Sequence, residues 1–209
     1  MKTVIFLGKR RQRGSPTAQF PGAELWGTTH SNQKYARKYG TVDDWHAWWD
    51  LHPFEPVPGY DGIKKRRHST YEWYKTLPGP GQPGYRPLWL AELRPEIPAG
   101  VLFPKQDIFE QLRVPRETLR WFTCQVDLMM AYAIVKGYEH IILHGHGCKF
   151  GRRTSEMEHM IDHCGVLVWM TLARERGIQV TVLEPSWYVG MKRPYGVSPQ
   201  GWGNLYGKS

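Results

Sequence analysis

The stretch from Phe122 to Glu156, FTCQVDLMMAYAIVKGYEHIILHGHGCKFGRRTSE, constrains the fold more than any other part of this chain. Val126, Met129, Met130, Ala133 and Ile134 recur at spacings of three and four, which places them on one face of a helix. Gly137 ends that helix where a left-handed residue costs little. Ile141-Ile142-Leu143 then reads as a buried strand that delivers His144-Gly-His-Gly-Cys-Lys into a loop. A helix feeding a buried strand is the repeating unit of a parallel α/β sheet, and such sheets bind ligands at the C-terminal ends of their strands. The loop from His144 to Arg153 is therefore the first place to expect chemistry.

The rest of the chain continues the alternation. Thr3-Val-Ile-Phe-Leu7, closed by Gly8, reads as the central strand, and Glu24-Leu-Trp-Gly-Thr28 as the second. Ser31 to Tyr39 fits a short basic helix. Trp45 to Leu51 is an aromatic-rich segment in which a strand would bury only alternate tryptophans, leaving at least one of Trp45, Trp48 and Trp49 to cover a cleft or stack on a base. The regions 53–68 and 78–87 are rich in Pro and Gly and read as loop insertions. Ser69 and Glu72 have the spacing of a capping box, which predicts a helix from Thr70 to Leu77. Pro87 to Ala91 suggests a further strand, and Pro104 to Leu112 a helical turn. Thr154 to Arg176 is a long helix with an expected apolar face of Met157, Met160, Ile161, Val168 and Leu172, stopped by Gly177 before a buried strand from Gln179 to Leu183. The expected fold is one α/β domain over residues 1–209, with a mostly parallel, Rossmann-like sheet and helices on both faces.

Composition bounds the function. With 41% hydrophobic residues, ten Trp and eleven Tyr, the chain has enough apolar material for a well-buried core. No apolar run approaches the ~20 residues of a membrane span, and the N-terminus lacks a signal-peptide pattern, so a cytoplasmic protein without membrane contact is expected. Cys124, Cys148 and Cys164 are scattered, which favours reduced thiols. The formal charge of +9 attracts polyanions or phosphate-bearing metabolites. Its sources cluster in predicted loops: Lys9, Arg10, Arg11 and Arg13; Lys64, Lys65, Arg66 and Arg67; Lys149, Arg152 and Arg153.

These clusters suggest two binding surfaces. Gly8, Lys9, Arg10 and Arg11 after the first strand, Thr28 after the second, and Gly145, Gly147, Arg152 and Arg153 after the late strand would hold the phosphates of a nucleotide. Lys64, Lys65, Arg66 and Arg67, with Trp73 nearby, combine cations with an aromatic, as single-stranded or flipped nucleic acid requires. Histidine suits a general base at working pH. His52, His144 and His146 all project from the expected C-terminal sheet edge, and Asp50 stands two residues before His52.

Several local signatures carry a resemblance: the strand ending in Gly8, Glu24-Leu-Trp-Gly, Trp48-Trp-Asp-Leu-His52, Phe122-Thr-Cys before a helix, and the strand leading to Gly145. Together they resemble a family of small Rossmann-like proteins common in bacteriophage genomes. That family is similar in layout to the motility-accessory and hydroxymethylpterin-pyrophosphokinase-like proteins and, more distantly, to single-domain bacterial sialyltransferases. The resemblance implies a nucleotide-binding transferase fold rather than any one reaction. The chain departs from the family pattern in having His144-Gly-His-Gly where an acidic residue usually follows the glycine.

The expected function is group transfer from a nucleotide-sugar donor, with a phage DNA base as the glycosyl acceptor. Two other readings stay open. One is a non-catalytic nucleotide or nucleic-acid binder, acting for example against a host defence. The other is a zinc-dependent hydrolase with ligands among His144, His146, Cys148, His159 and His163, although neither HExxH nor CxxC is present and no metal is expected.

Overall fold

The computed structural model describes residues 1–8, 16–28, 45–57, 62–66, 68–146 and 156–183. In chain order the elements are β1 (Thr3–Leu7), the single turn α1 (Pro16–Gln19), β2 (Glu24–Thr28), β3 (Ala47–Asp50), α2 (Gly62–Arg66), α3 (His68–Lys75), β4 (Leu88–Leu90) and β5 (Gly100–Leu102). There follow α4 (Lys105–Leu112), a 3₁₀ segment (Arg116–Trp121), α5 (Gln125–Val135), β6 (His140–His144), α6 (Glu156–Glu175) and β7 (Gln179–Val182). All seven strands join one sheet in the order β5-β4-β3-β2-β1-β6-β7, and every pairing is parallel. The domain is thus an α/β Rossmann-like fold, as the alternation predicts, with β1 inside the sheet between β2 and β6.

Strand pleating divides the core into two layers. Val4, Phe6, Trp26, Trp49, Ile141 and Leu143 pack with buried residues of α4, α5 and α6. Their chain neighbours Ile5, Leu7, Leu25, Trp48 and Ile142 pack on the other side with Ile63 of α2 and Tyr71 and Tyr74 of α3. Both faces are covered, so β1, β3 and β6 are continuous apolar runs and not alternating ones. This corrects the expectation for the tryptophan cluster. Trp45, Trp48 and Trp49 are all buried, because a strand covered on both sides buries both sets of side chains.

Other boundaries shift for identifiable reasons. The helix expected from Thr70 begins at His68, so Ser69 lies in its first turn and does not cap it. Part of the basic run expected in a loop forms α2, the single turn at Gly62–Arg66. On α6 the buried line is Val166, Trp169, Met170 and Ala173, whereas Ile161 is 47% exposed. The large Trp169 ring, stacked on Phe122 at 4.4 Å, lies on the inward face, with Val168 and Leu172 half-buried; the Met157 and Met160 side chains lie outside the described residues. β7 is an edge strand and only partly buried. Gly137 and Gly177 adopt the expected left-handed conformation, with φ of 68° and 76°. Ser31 to Tyr39 lies outside the described residues. No described helix is long and apolar enough to cross a membrane.

The start of α5 is closed from within. Asp127 Oδ2 accepts from the Thr123 amide (2.8 Å), the Thr123 hydroxyl (2.9 Å) and the Cys124 amide (3.0 Å), while the Cys124 side chain accepts from the Asp127 amide. This is a capping box with a cysteine in the place of serine or threonine. Asp127 is nonetheless fully buried, and its Oδ1 has no partner among the described residues. Burial dominates over the donated hydrogen bonds and pushes its carboxyl up from 3.8 to about 6. The folded chain therefore holds this proton more tightly than the unfolded chain. The stability it contributes is complete below pH ~4 and is lost as pH rises through about 6, by up to about 3 kcal/mol. Burial lowers the pKa of His140, whose charging works in the opposite sense as pH falls below its ordinary value of 6.5. Comparing Asp127→Asn with the parent isolates the carboxyl. Urea denaturation between pH 4 and 7 should show a downward slope with rising pH in the parent that flattens in the variant, and equal slopes would count against a retained proton.

Candidate active site

Among the described residues, Thr28, Asp50, Thr70, Asp127, His140 and His144 are the buried polar or charged side chains. Three of them, Thr28, Asp50 and His144, terminate β2, β3 and β6. A covered sheet rejects polar groups from its interior, and of the four buried polar residues on strands three lie at C-terminal ends, with His140 at the start of β6 the exception; ligands of parallel sheets bind at the C-terminal edge. The strand order gives a second reason. From β1 the chain steps outward through β2 to β5, then crosses over to β6 on the other side of β1. The switch point lies between β1 and β6, where parallel sheets open a crevice.

Gly8 and the His144 to His146 segment meet at this crevice, as the sequence predicts. The Gly8 amide donates to the His144 carbonyl at 2.7 Å. A Cβ on Gly8 would collide with the Gly145 carbonyl and stand 2.9 Å from Cγ of His146. Only glycine permits this approach. Gly145 itself is left-handed, with φ 76°. His144 is buried at the base of the crevice, and His146 is partly exposed above it.

The second group stands at the end of β3. Asp50 is fully buried. Its Oδ1 lies 2.7 Å from His52 Nδ1, and its Oδ2 accepts from the Tyr74 hydroxyl at 2.8 Å. An ionised carboxylate only accepts, so beside one the hydrogen of the short contact belongs on Nδ1, and a neutral imidazole then carries its lone pair on Nε2. The His52 side chain is 34% exposed, so it joins a buried anchor to the surface. The backbone on each side is fixed. Gln125 bonds Leu51 N and Trp49 O, and beyond His52 the buried Phe54 donates its amide to Glu92 at 3.2 Å. The four strand ends follow the order His144, Gly8, Thr28, Asp50 across neighbouring strands, a row of about 14 Å at the usual strand spacing.

The remaining expected site residues are placed as follows. Thr28 turns its hydroxyl to the Leu7 carbonyl at 3.3 Å, tying the ends of β1 and β2 together. Lys9, Arg10, Arg11, Arg67, Gly147, Arg152 and Arg153 lie outside the described residues, as does Cys148. Lys64 is bonded to Glu55 at 2.7 Å, and that bond is the main cause lowering the Glu55 pKa. Lys65 and Arg66 belong to α2. Trp73 is half-buried and meets Trp48 edge-on at 5.1 Å. Among the described residues no three His, Cys, Asp or Glu side chains gather as a metal site would need. Tyr71 and Tyr74, which sequence proximity to the basic run suggests as further stacking groups beside Trp73, are buried, and neither the Tyr74 bond to Asp50 nor the role of Gln125 is legible locally, because nothing in a chain links residues so far apart.

A cleft of about 720 Å³ opens at the opposite sheet edge, lined by Gln111, Arg113, Tyr138, Glu139 and Arg176 among others. Volume alone would favour it as a ligand site. Its chemistry favours a structural role, because Arg176 donates to the Leu112 carbonyl and so closes the C-terminus of α4. No protein-family model, curated protein or solved structure matches this chain.

Two substitutions test this geometry. Gly8→Ala should destabilise the fold by about 1–3 kcal/mol through overpacking against Gly145, read as a lowered melting temperature. Tyr74→Phe removes one donor from a buried carboxylate and should cost about 1–3 kcal/mol in chemical denaturation. An unchanged midpoint would mean that the Tyr74 bond to Asp50 adds nothing.

Proposed function

We propose that the protein is a nucleotide-sugar-dependent group transferase in which His52, oriented by Asp50, is the general base. The observation that carries this reading is the buried Asp50 carboxylate on His52 Nδ1, at the binding edge of a parallel sheet whose switch point lies two strands away. Asp50 holds the tautomer and the ring orientation, the two properties a positioned base needs. In the step itself, His52 Nε2 takes the proton of an acceptor hydroxyl, and the acceptor oxygen forms a bond to the sugar's anomeric carbon. The bond from that carbon to the donor phosphate breaks, and its electron pair leaves with the nucleotide diphosphate. The strand order supports assigning the donor phosphates to the switch point beside Gly8; the Gly8 amide itself is engaged with the His144 carbonyl. The row of strand ends from His144 to Asp50 suits an elongated donor.

The hydroxyl of a modified DNA base is the acceptor we favour, because the net charge of +9 attracts a polyanion and α2 carries part of a basic run. Nucleotide-sugars should raise the melting temperature of the protein, as any ligand of the folded state does. His52→Gln should lower turnover ~100 to 10,000-fold while keeping that shift. Full turnover in the variant would eliminate His52 as the base. Replacing Lys64, Lys65, Arg66 and Arg67 with Ala should weaken DNA binding and flatten its dependence on salt. Unaltered affinity and slope would move the acceptor away from this segment.

A further inference from the structure

We infer that Gln125 is a positioning residue for the Asp50–His52 pair, an inference that rests on reading His52 as the base. Its carboxamide donates from Nε2 to the Trp49 carbonyl at 3.0 Å and accepts at Oε1 from the Leu51 amide at 3.1 Å. These two bonds bracket Asp50. In a parallel ladder, one residue of the neighbouring strand accepts from the residue after its partner and donates to the residue before it. Gln125 reproduces that pair with a side chain, so β3 remains laddered at the point where its carboxylate must be held. The glutamine is the first residue of α5, whose start is fixed by the buried Asp127 capping box, so the clamp stands on a rigid support.

The consequence lies in direction as much as in stability. A two-pronged amide fixes both the peptide before Asp50 and the peptide after it, and these set the direction of the carboxylate. An unclamped strand end would let Oδ1 move off Nδ1 and release the tautomer of His52. Gln125 touches no reacting atom in this account and acts through Asp50.

The test uses the full chain and needs no substrate. Imidazole ¹⁵N spectra above the titration range report which ring nitrogen carries hydrogen, and the His52 signals are assigned by their absence in His52→Gln. The parent should show hydrogen on Nδ1. Gln125→Leu keeps the bulk and removes both bonds, so the His52 signals should move toward the average of the two tautomers. Exchange of the Leu51 amide should quicken about tenfold in the same variant. Gln125→Glu keeps the acceptor for Leu51 but loses the donor to Trp49, so it should retain amide protection and give intermediate His52 signals. Once turnover is measured, Gln125→Leu should lower kcat by ~10 to 100-fold at constant donor KM. A folded Gln125→Leu with parental His52 signals would overturn the inference, and if that variant does not fold, parental signals in Gln125→Glu would do the same. A parent with hydrogen on Nε2, or one insensitive to Asp50→Asn, would defeat the base reading itself, which keeps the two failures apart.

Discussion

A parallel sheet covered by helices on both faces can accept a polar side chain only where its strands stop. In this protein the constraint is severe, since Trp45, Trp48 and Trp49 are buried around a single strand and β1 and β6 are buried almost throughout. Thr28, Asp50 and His144 occupy the positions that remain. Strand length therefore determines where chemistry can occur. Extending β3 by one residue at its start would move Asp50 from the end of the sheet to the opposite pleat, against the α4 to α6 layer.

Two buried aspartates show how the same side chain is made to do different work. Asp50 has both oxygens bonded, one to the His52 ring and one to the Tyr74 hydroxyl. Asp127 gathers three donors on one oxygen and leaves the other without a partner among the described residues. Distributed donors fix the plane of the Asp50 carboxylate, whereas at Asp127 burial outweighs the donated hydrogen bonds and raises the proton affinity of the group. The first arrangement suits orientation of an imidazole. The second suits closure of a helix end that supports Gln125. One helix start thus serves both the packing of α5 on α6 and the geometry of β3.

Legibility in the sequence followed the range of the interactions. The helix ending at Gly137, the strand before His144 and the parallel alternation are local patterns, and they emerged with boundaries close to those observed. The meeting of Gly8 with Gly145 was also readable, because parallel strands in a doubly wound sheet present their C-terminal ends together. Burial was misread where the number of covered faces decided it, as in the tryptophan cluster, and on α6, where Ile161 is exposed and Trp169 is buried. His52 and Asp50 were legible as site residues from their place in the Trp48 to His52 segment, though their hydrogen bond was not. Tyr74 and Gln125 were not, since each reaches Asp50 or its flanking peptides only through tertiary packing.

The separation between the two halves of the site narrows what can occupy it. Gly8 and Asp50 terminate strands with β2 between them, so their backbones stand about 10 Å apart. A compact ligand could touch one half or the other, and between them the Thr28 hydroxyl is turned to the Leu7 carbonyl. A base at His52 and phosphates at Gly8 can serve a single reaction only if the ligand places its reactive centre roughly 10 Å from its phosphate anchor or bends back across β2. The transfer proposed for this site breaks a bond to the phosphate itself, so the reacting carbon stands within one phosphate group of its anchor, and a donor held at Gly8 must bend back across β2 to reach His52. The spacing of strand ends thus requires either a bent donor or a phosphate anchor nearer to β3 than Gly8, a constraint that is independent of net charge.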